Sequence, residues 1–262
     1  DPAPWTKALS STVGDGRIIG LSWALQPNTG ALAGLSDLRG YDLPVSEDTE
    51  RLQMALNPNP VRPWFRIDTM PPLALLRFAS VKAVVSPDPL PDPLDIGPAP
   101  LFAQAIENSM PRAWLATAAR PVDTPDQAIA WLSRDPSAAS RPPVEKLVAD
   151  LPSAGITHDV ENLHITSRTV RFEVDAPAPS IAVVVDAWHP GWTVRVDGQP
   201  AESLRVGGAF RGVIVPKGQH TVMWTFSPQS WVLGWLLFLF GVAALTVLWM
   251  RSRRLELKHD SG

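Results

Sequence analysis

The sequence predicts an α+β chain: a mixed α/β N-terminal region, then an antiparallel β-sandwich of immunoglobulin or jelly-roll type, then one C-terminal transmembrane helix. Three observations point there. Helix starts and strand-like runs intermingle before about residue 135. Short apolar runs, many of them alternating with polar residues and set off by turn residues, fill 155–226. The twenty residues Trp231–Met250 carry no charge. The expected divisions are an extracytoplasmic α+β domain with Pro-rich loops over 1–143, a β-sandwich over 144–229, a membrane helix over 230–250 and a basic tail over 251–262.

Composition narrows the function. With 45% apolar residues among 262, the chain can bury a real core, which excludes a disordered protein. A net charge of −3 argues against nucleic-acid partners. There is no cysteine, so disulfides, thiolate catalysis, zinc ribbons and iron–sulfur clusters are excluded together. The 28 prolines favour irregular segments and edge-rich β structure over a helical bundle.

In the N-terminal region, Arg17–Leu25 and Val81–Ser86 read as strands, with Ala113–Ala118 a further candidate. Glu50–Leu56 and Leu73–Ala79 are short helix candidates. Thr124-Pro125-Asp126-Gln127 is a strong helix start: a Thr cap, Pro at the first helical position and Gln at the capping-box position. Ala128, Ile129, Trp131 and Leu132 give that helix its apolar face. Eleven prolines between Asn57 and Pro100 imply loops pinned to a scaffold. A stretch rich in Pro, Ser and Ala around 135–143 is expected to be a linker.

The sandwich strands follow. Thr169–Asp175 alternates strictly, as a half-buried strand does. Ile181–Val185 is a continuous β-branched run suited to a central strand. Trp192–Val196 alternates again, and Asp197-Gly198 is a pair favoured in tight hairpin turns. Phe210–Val215 and Thr221–Phe226 complete the set, the last running almost directly into the apolar stretch. At about 1.5 Å per residue, Trp231–Met250 spans roughly 30 Å, the thickness of a bilayer's hydrocarbon core. Trp231 and Trp249 sit near its ends as interfacial anchors. Arg251, Arg253 and Arg254 follow, and cationic flanks stay cytoplasmic, so 1–229 is expected outside the bacterial inner membrane. A tail-anchored cytosolic protein is the competing topology, and it puts the arginines on the wrong side. Asp1-Pro2-Ala3-Pro4 has no n-region or h-region. The chain is therefore expected to be the C-terminal piece of a longer protein with upstream membrane helices.

No phosphate-cradling glycine loop, HExxH helix or nucleophile elbow stands out, so no residue is assigned as catalytic. His158 and His164, with Asp159 and Glu161, fit no standard metal spacing, and no metal is assigned. In Asp186-Ala187-Trp188-His189-Pro190-Gly191-Trp192, Trp188 and Trp192 can stack on a sugar while Asp186 and His189 bond its hydroxyls. Alternatively, Pro-Gly makes a turn and both indoles fill the sandwich core. Asn28, Asp37, Arg39, Tyr41 and Asp42 form a second polar cluster. There Arg39 either grips a ligand carboxylate or phosphate or ties two loops through Asp37 or Asp42. Glu107–Arg112 is polar enough to bind a ligand, or else is a turn held by its own hydrogen bonds.

Several of these segments carry a resemblance. Pro27-Asn28, Gly34–Asp42, Ala83–Ser86, Glu107-Asn108, Met110–Ala113, Val185–Trp192, Val196–Gly198, Phe210–Val213 and Pro216–Val222 occur in an order similar to the C-terminal portion of the bacterial YfhO family. That family of polytopic membrane proteins resembles the GT-C class of glycosyltransferases, which take sugars from a lipid-linked donor at the outer face. The resemblance implies a parent protein that uses a polyprenyl-phosphate sugar and acts on cell-envelope polymers. In that class the catalytic carboxylates lie in an outer loop between early membrane helices, so none carries over to this chain. The expected partners are the bilayer, the upstream helices and an envelope glycan or polymer. The alternative is a non-catalytic binding or assembly module of an integral membrane protein.

Overall fold

Burial decides where each element goes, and a computed structural model of the chain describes residues 4–25, 29–39, 46–57, 67–97, 99–147, 151–152 and 154–259. The chain begins with helix α1 (Pro4–Val13) and strands β1 (Arg17–Gly20) and β2 (Ser36–Asp37). Helices α2 (Glu47–Leu56) and α3 (Leu73–Phe78) precede β3 (Val81–Ser86) and β4 (Phe102–Ala105). These strands form a four-stranded sheet in the order β2-β1-β3-β4, with β1 parallel to both neighbours and β4 antiparallel to β3. The strand expected over Arg17–Leu25 stops at Gly20, because Ser22 takes a left-handed φ of 51° and turns the chain out of the ladder. Helix α1 was not foreseen.

Next come β5 (Ala113–Ala116), β6 (Arg120–Val122), α4 (Pro125–Leu132), β7 (Pro143–Glu145) and β8 (Thr157–Asp159). The remaining strands are β9 (Glu161–Ile165), β10 (Thr169–Ala176), β11 (Ser180–Ala187), β12 (Trp192–Val196), β13 (Gln199–Ala201), β14 (Leu204–Val206), β15 (Phe210–Val215) and β16 (Gly218–Phe226). A seven-stranded sheet runs β6-β7-β14-β15-β11-β5-β8, antiparallel except for the β6–β7 pair. A five-stranded sheet, β13-β12-β16-β10-β9, is antiparallel throughout. The fold is thus α+β, with a mixed N-terminal region and a β-sandwich.

The seven-stranded sheet is covered on both faces. Ala182, Val184, Val213 and Val215 meet Phe172, Val174, Val222 and Trp224 of the five-stranded sheet. On the other face Ile181, Val183, Val185 and Phe210 meet Leu56, Leu76, Phe78 and Leu132 from α2, α3 and α4. A strand buried on both faces has no polar alternation, which is why Ile181–Val185 is continuously apolar. β10, with one face on solvent, keeps its alternation.

The sheet takes strands from both sides of the division drawn at residue 143, since β5 pairs with β11. The stretch expected to be a linker is packed instead. Pro136–Ala139 forms a 3-10 turn, Ala138 is buried, and the Trp114 indole N–H donates to the Ala139 carbonyl at 3.0 Å. A buried indole N–H needs an acceptor, and this backbone supplies it.

Helix α5 (Gln229–His259) contains Leu233–Met250, long and apolar enough to cross a membrane, with none of that window buried. Only Ser227 and Pro228 separate it from β16. The junction is braced by Phe226 N–H to the Arg168 carbonyl and Ser227 N–H to the Gly191 carbonyl, both 2.8 Å. The Arg168 guanidinium lies 4.9 Å from the centre of the Trp231 ring. Trp231 and Trp249 are exposed on α5, as are their neighbours along the apolar window. The helix continues through Arg251, Arg253 and Arg254, whose side chains lie outside the described residues.

Candidate functional site

A register irregularity against β15 between Val184 and Ala187 leaves Asp186 out of the β11–β15 register. Three arginines from distant segments converge on its carboxylate. Arg17, opening β1, donates to Oδ1 at 2.7 Å and to the Ala79 carbonyl at 2.9 Å. Arg112, just before β5, also donates to Oδ1, and Arg211 of β15 donates to Oδ2 at 3.1 Å. The four groups therefore tie the four-stranded sheet to the seven-stranded one.

Burial alone would raise the Asp186 pKa, but the guanidiniums of Arg17, Arg112 and Arg211 hold it below the usual carboxylate range. Three cations on one anion leave an excess of positive charge in a place poor in water. Arg17 is accordingly brought down to about 10 by burial and by the nearby Arg112, and Arg211 to about 10 by burial and Arg112. Both stay charged at neutral pH. Arg211 is 1% exposed, and its Nε and Nη1 have no hydrogen-bond acceptor. Its guanidinium lies instead on the Trp192 ring, 3.9 Å from the centroid, so π density takes the place of an acceptor.

The two indoles are thus occupied by arginines. Trp192 carries Arg211 on its face and packs on Phe226 with centroids 5.1 Å apart. Trp188 has Arg205 4.4 Å from its ring centre. Arg205 is the register partner of Arg211 across β14 and β15, so both stand on one sheet face. Arg205 bridges Asp48 of α2 at 3.1 Å and Glu145 of β7 at 3.0 Å. Burial raises both carboxyls, with Arg205 opposing. His189 accepts from Gly191 N–H at 2.9 Å and rests on Phe226. The expected turn is present, but of the two indoles only Trp192 packs against the sandwich core, while Trp188 is half-buried outside it.

The second predicted cluster is a local tie. Arg39 binds Asp37 through Nε at 3.1 Å and Nη2 at 2.7 Å, and Nη2 also reaches the Leu25 carbonyl at 2.8 Å. Both side chains are buried. A Cβ on Gly20 would lie 2.5 Å from Arg39 Nη2, so a side chain there would push the guanidinium aside. Asn28, Tyr41 and Asp42 lie outside the described residues. The Glu107–Arg112 turn is held by Arg77 Nε on the Glu107 carbonyl at 2.9 Å and Lys82 on the Ser109 carbonyl at 2.6 Å.

His158 stands on β8 and His164 on β9, in different sheets. Among the described residues no group of three or more His, Asp or Glu is placed to hold a metal. Among the described residues, surface grooves lined by charged side chains occur in two places. One, along β6 and α4, has Arg120 stacked 3.5 Å over Trp131, with Gln127 and Arg134 beside it. The other is acidic, lined by Glu161, Glu173, Asp175 and Asp197. There the His220 hydrogen bond at 2.6 Å and the Thr221 N–H hold Asp197 low.

Sequence reasoning found Asp186 and missed its partners. The available signal was Arg211, a charged residue inside the apolar run Phe210–Val215. Comparison of the chain with protein-family models, curated proteins and solved structures gives no match.

Proposed function

We propose that this chain is the extracytoplasmic accessory region and last membrane span of a bacterial integral membrane protein, the accessory part of a lipid-linked-sugar glycosyltransferase of the kind its sequence resembles. The observation that carries this reading is the junction. A two-residue, hydrogen-bonded connection joins the sandwich to the end of an apolar helix, which supports a role close to the bilayer surface. The polar side chains support an accessory role over a catalytic one. Asp186 is committed to three guanidiniums, and the Trp188 and Trp192 rings each hold an arginine. The polyprenyl-phosphate donor is a ligand of the parent protein's other part. An envelope polymer is the acceptor this region would stand beside.

A second reading, a binding module in a membrane protein that transfers nothing, is favoured by the groove along β6 and α4, whose lining includes Gln127, Trp131, Arg134 and Asp135. The two part experimentally. Because the chain has no cysteine, Q199C and S252C are unique labelling sites. In intact cells a membrane-impermeant maleimide is expected to modify Q199C, and S252C only after lysis; the reverse pattern overturns the topology and the envelope role. A Trp fluorescence change with envelope oligosaccharides, seen for the full chain in nanodiscs and lost in W131A, supports the binding module.

A further inference from the structure

The membrane-proximal end of the sandwich holds a cation that the fold places but does not use. β10 begins at Thr169, opposite Thr225, and ends at Ala176, opposite Gly218. The turn Thr166–Arg168 and the turn His189–Gly191 therefore flank the last residues of β16, and both are hydrogen-bonded to it or to Ser227. Trp231 precedes the apolar window by two residues. If the window spans the bilayer, Trp231 lies at headgroup level, where indoles favour residence. Arg168 sits over that ring and is exposed. Among the described residues no carboxylate pairs with it, and its guanidinium lies beside Trp231.

The acidic groups lie toward the other end of the strands. Glu173 pairs with Thr221, and Asp175 with Gln219, roughly 13 and 20 Å from Thr169 at about 3.3 Å per residue. Asp197 and Glu161 share that groove. Arg168 thus stands at the helix end of the five-stranded sheet, while these carboxylates lie toward the other end together with the exposed cations Arg195 and Lys217. A phosphate-bearing surface attracts a cation held at its own level.

We infer that Arg168, seated on Trp231, binds lipid phosphate groups of the leaflet facing the sandwich, and that this contact fixes the tilt of the sandwich on the bilayer. The inference rests on the membrane span of the preceding section. A lipid phosphate accepts from the guanidinium through two oxygens while the indole holds the planar cation in place. The turns 166–168 and 189–191 are then the surface that touches headgroups.

The test uses the full chain in vesicles of phosphatidylcholine and phosphatidylglycerol, a fraction carrying a nitroxide on the headgroup. A fluorophore on S167C reports the proximal turn and one on Q199C reports a remote edge. The expected result is strong quenching at S167C, little at Q199C, and loss of the S167C quenching in S167C/R168Q. Equal quenching at the two sites, or quenching at S167C that R168Q leaves intact, overturns the inference while the span stands. A chain that fails to float with the vesicles overturns the span itself, and the inference with it.

Discussion

At the residue scale the governing fact is one carboxylate serving three buried guanidiniums. Removing one partner of a buried charge cluster exposes the others' desolvation cost, typically about 3–5 kcal/mol. D186N keeps the shape and deletes the charge, so urea denaturation is expected to show a loss of that order. A loss below about 1 kcal/mol would mean that the arginines are satisfied without it. The pH dependence has a definite sign. Asp186 titrates lower folded than unfolded, so its stabilisation is complete above the ordinary Asp value near about 4 and is lost as pH falls through the folded value. Asp48 and Glu145, raised by burial, act oppositely: the folded state takes their protons first, and acidification relieves a cost. Denaturation midpoints from pH 7 to pH 2 are therefore expected to show a steep acid limb in the native chain and a shallow one in D186N. Equal limbs would assign acid unfolding elsewhere. Only part of this was legible. Asp37 and Arg39 are two residues apart, and their tie was one of the readings offered. Arg17 and Asp186 are separated by 169 positions, and nothing local in either segment announces the other.

At the scale of elements, local chemistry was a good guide wherever the signal was local. Thr124 accepts from Gln127 N–H at 3.2 Å, Pro125 takes the first turn, and Ala128, Ile129 and Leu132 are buried as expected. Asp197 and Gly198 take φ of 51° and 77°, the left-handed pair that a tight β12–β13 hairpin requires. β5 shows where such reading stops. Its four residues are all buried, so they carry no alternation, and its partner β11 begins more than sixty positions later. Pairing with a distant strand is a property of the fold and not of the segment. A further element-level expectation concerns the β14–β15 turn. Gly208 has φ of 77°, and a Cβ there would lie 2.6 Å from the Pro125 carbonyl oxygen and 2.9 Å from Ile129. Because backbone leaves no room to yield, G208A is expected to cost more than about 2 kcal/mol, from strain and overpacking together. An unchanged thermal midpoint would show that α4 can move away from the turn.

At the scale of the whole molecule, the long apolar helix was plain in composition alone, and its absence of buried surface agrees with a lipid-facing role. A charge at its centre tests that role directly. L239R places a cation near the middle of the window, where insertion costs about 2.5–3.5 kcal/mol. The variant is expected to shift from the carbonate-resistant membrane fraction toward the soluble or aggregated one, while the native chain stays in the membrane. Equal distribution of the two would argue that the helix packs against protein instead.

The place of β16 has a mechanical consequence. It is an inner strand of its sheet, flanked by β10 over eight register pairs and by β12 over five, and it is the strand joined to α5. A pull on the helix directed along β16 therefore loads that strand lengthwise. Ladder bonds lie across an antiparallel strand, so such a load must break them together and cannot peel them one by one. If α5 spans a bilayer, tension on it would reach the sandwich through this ladder.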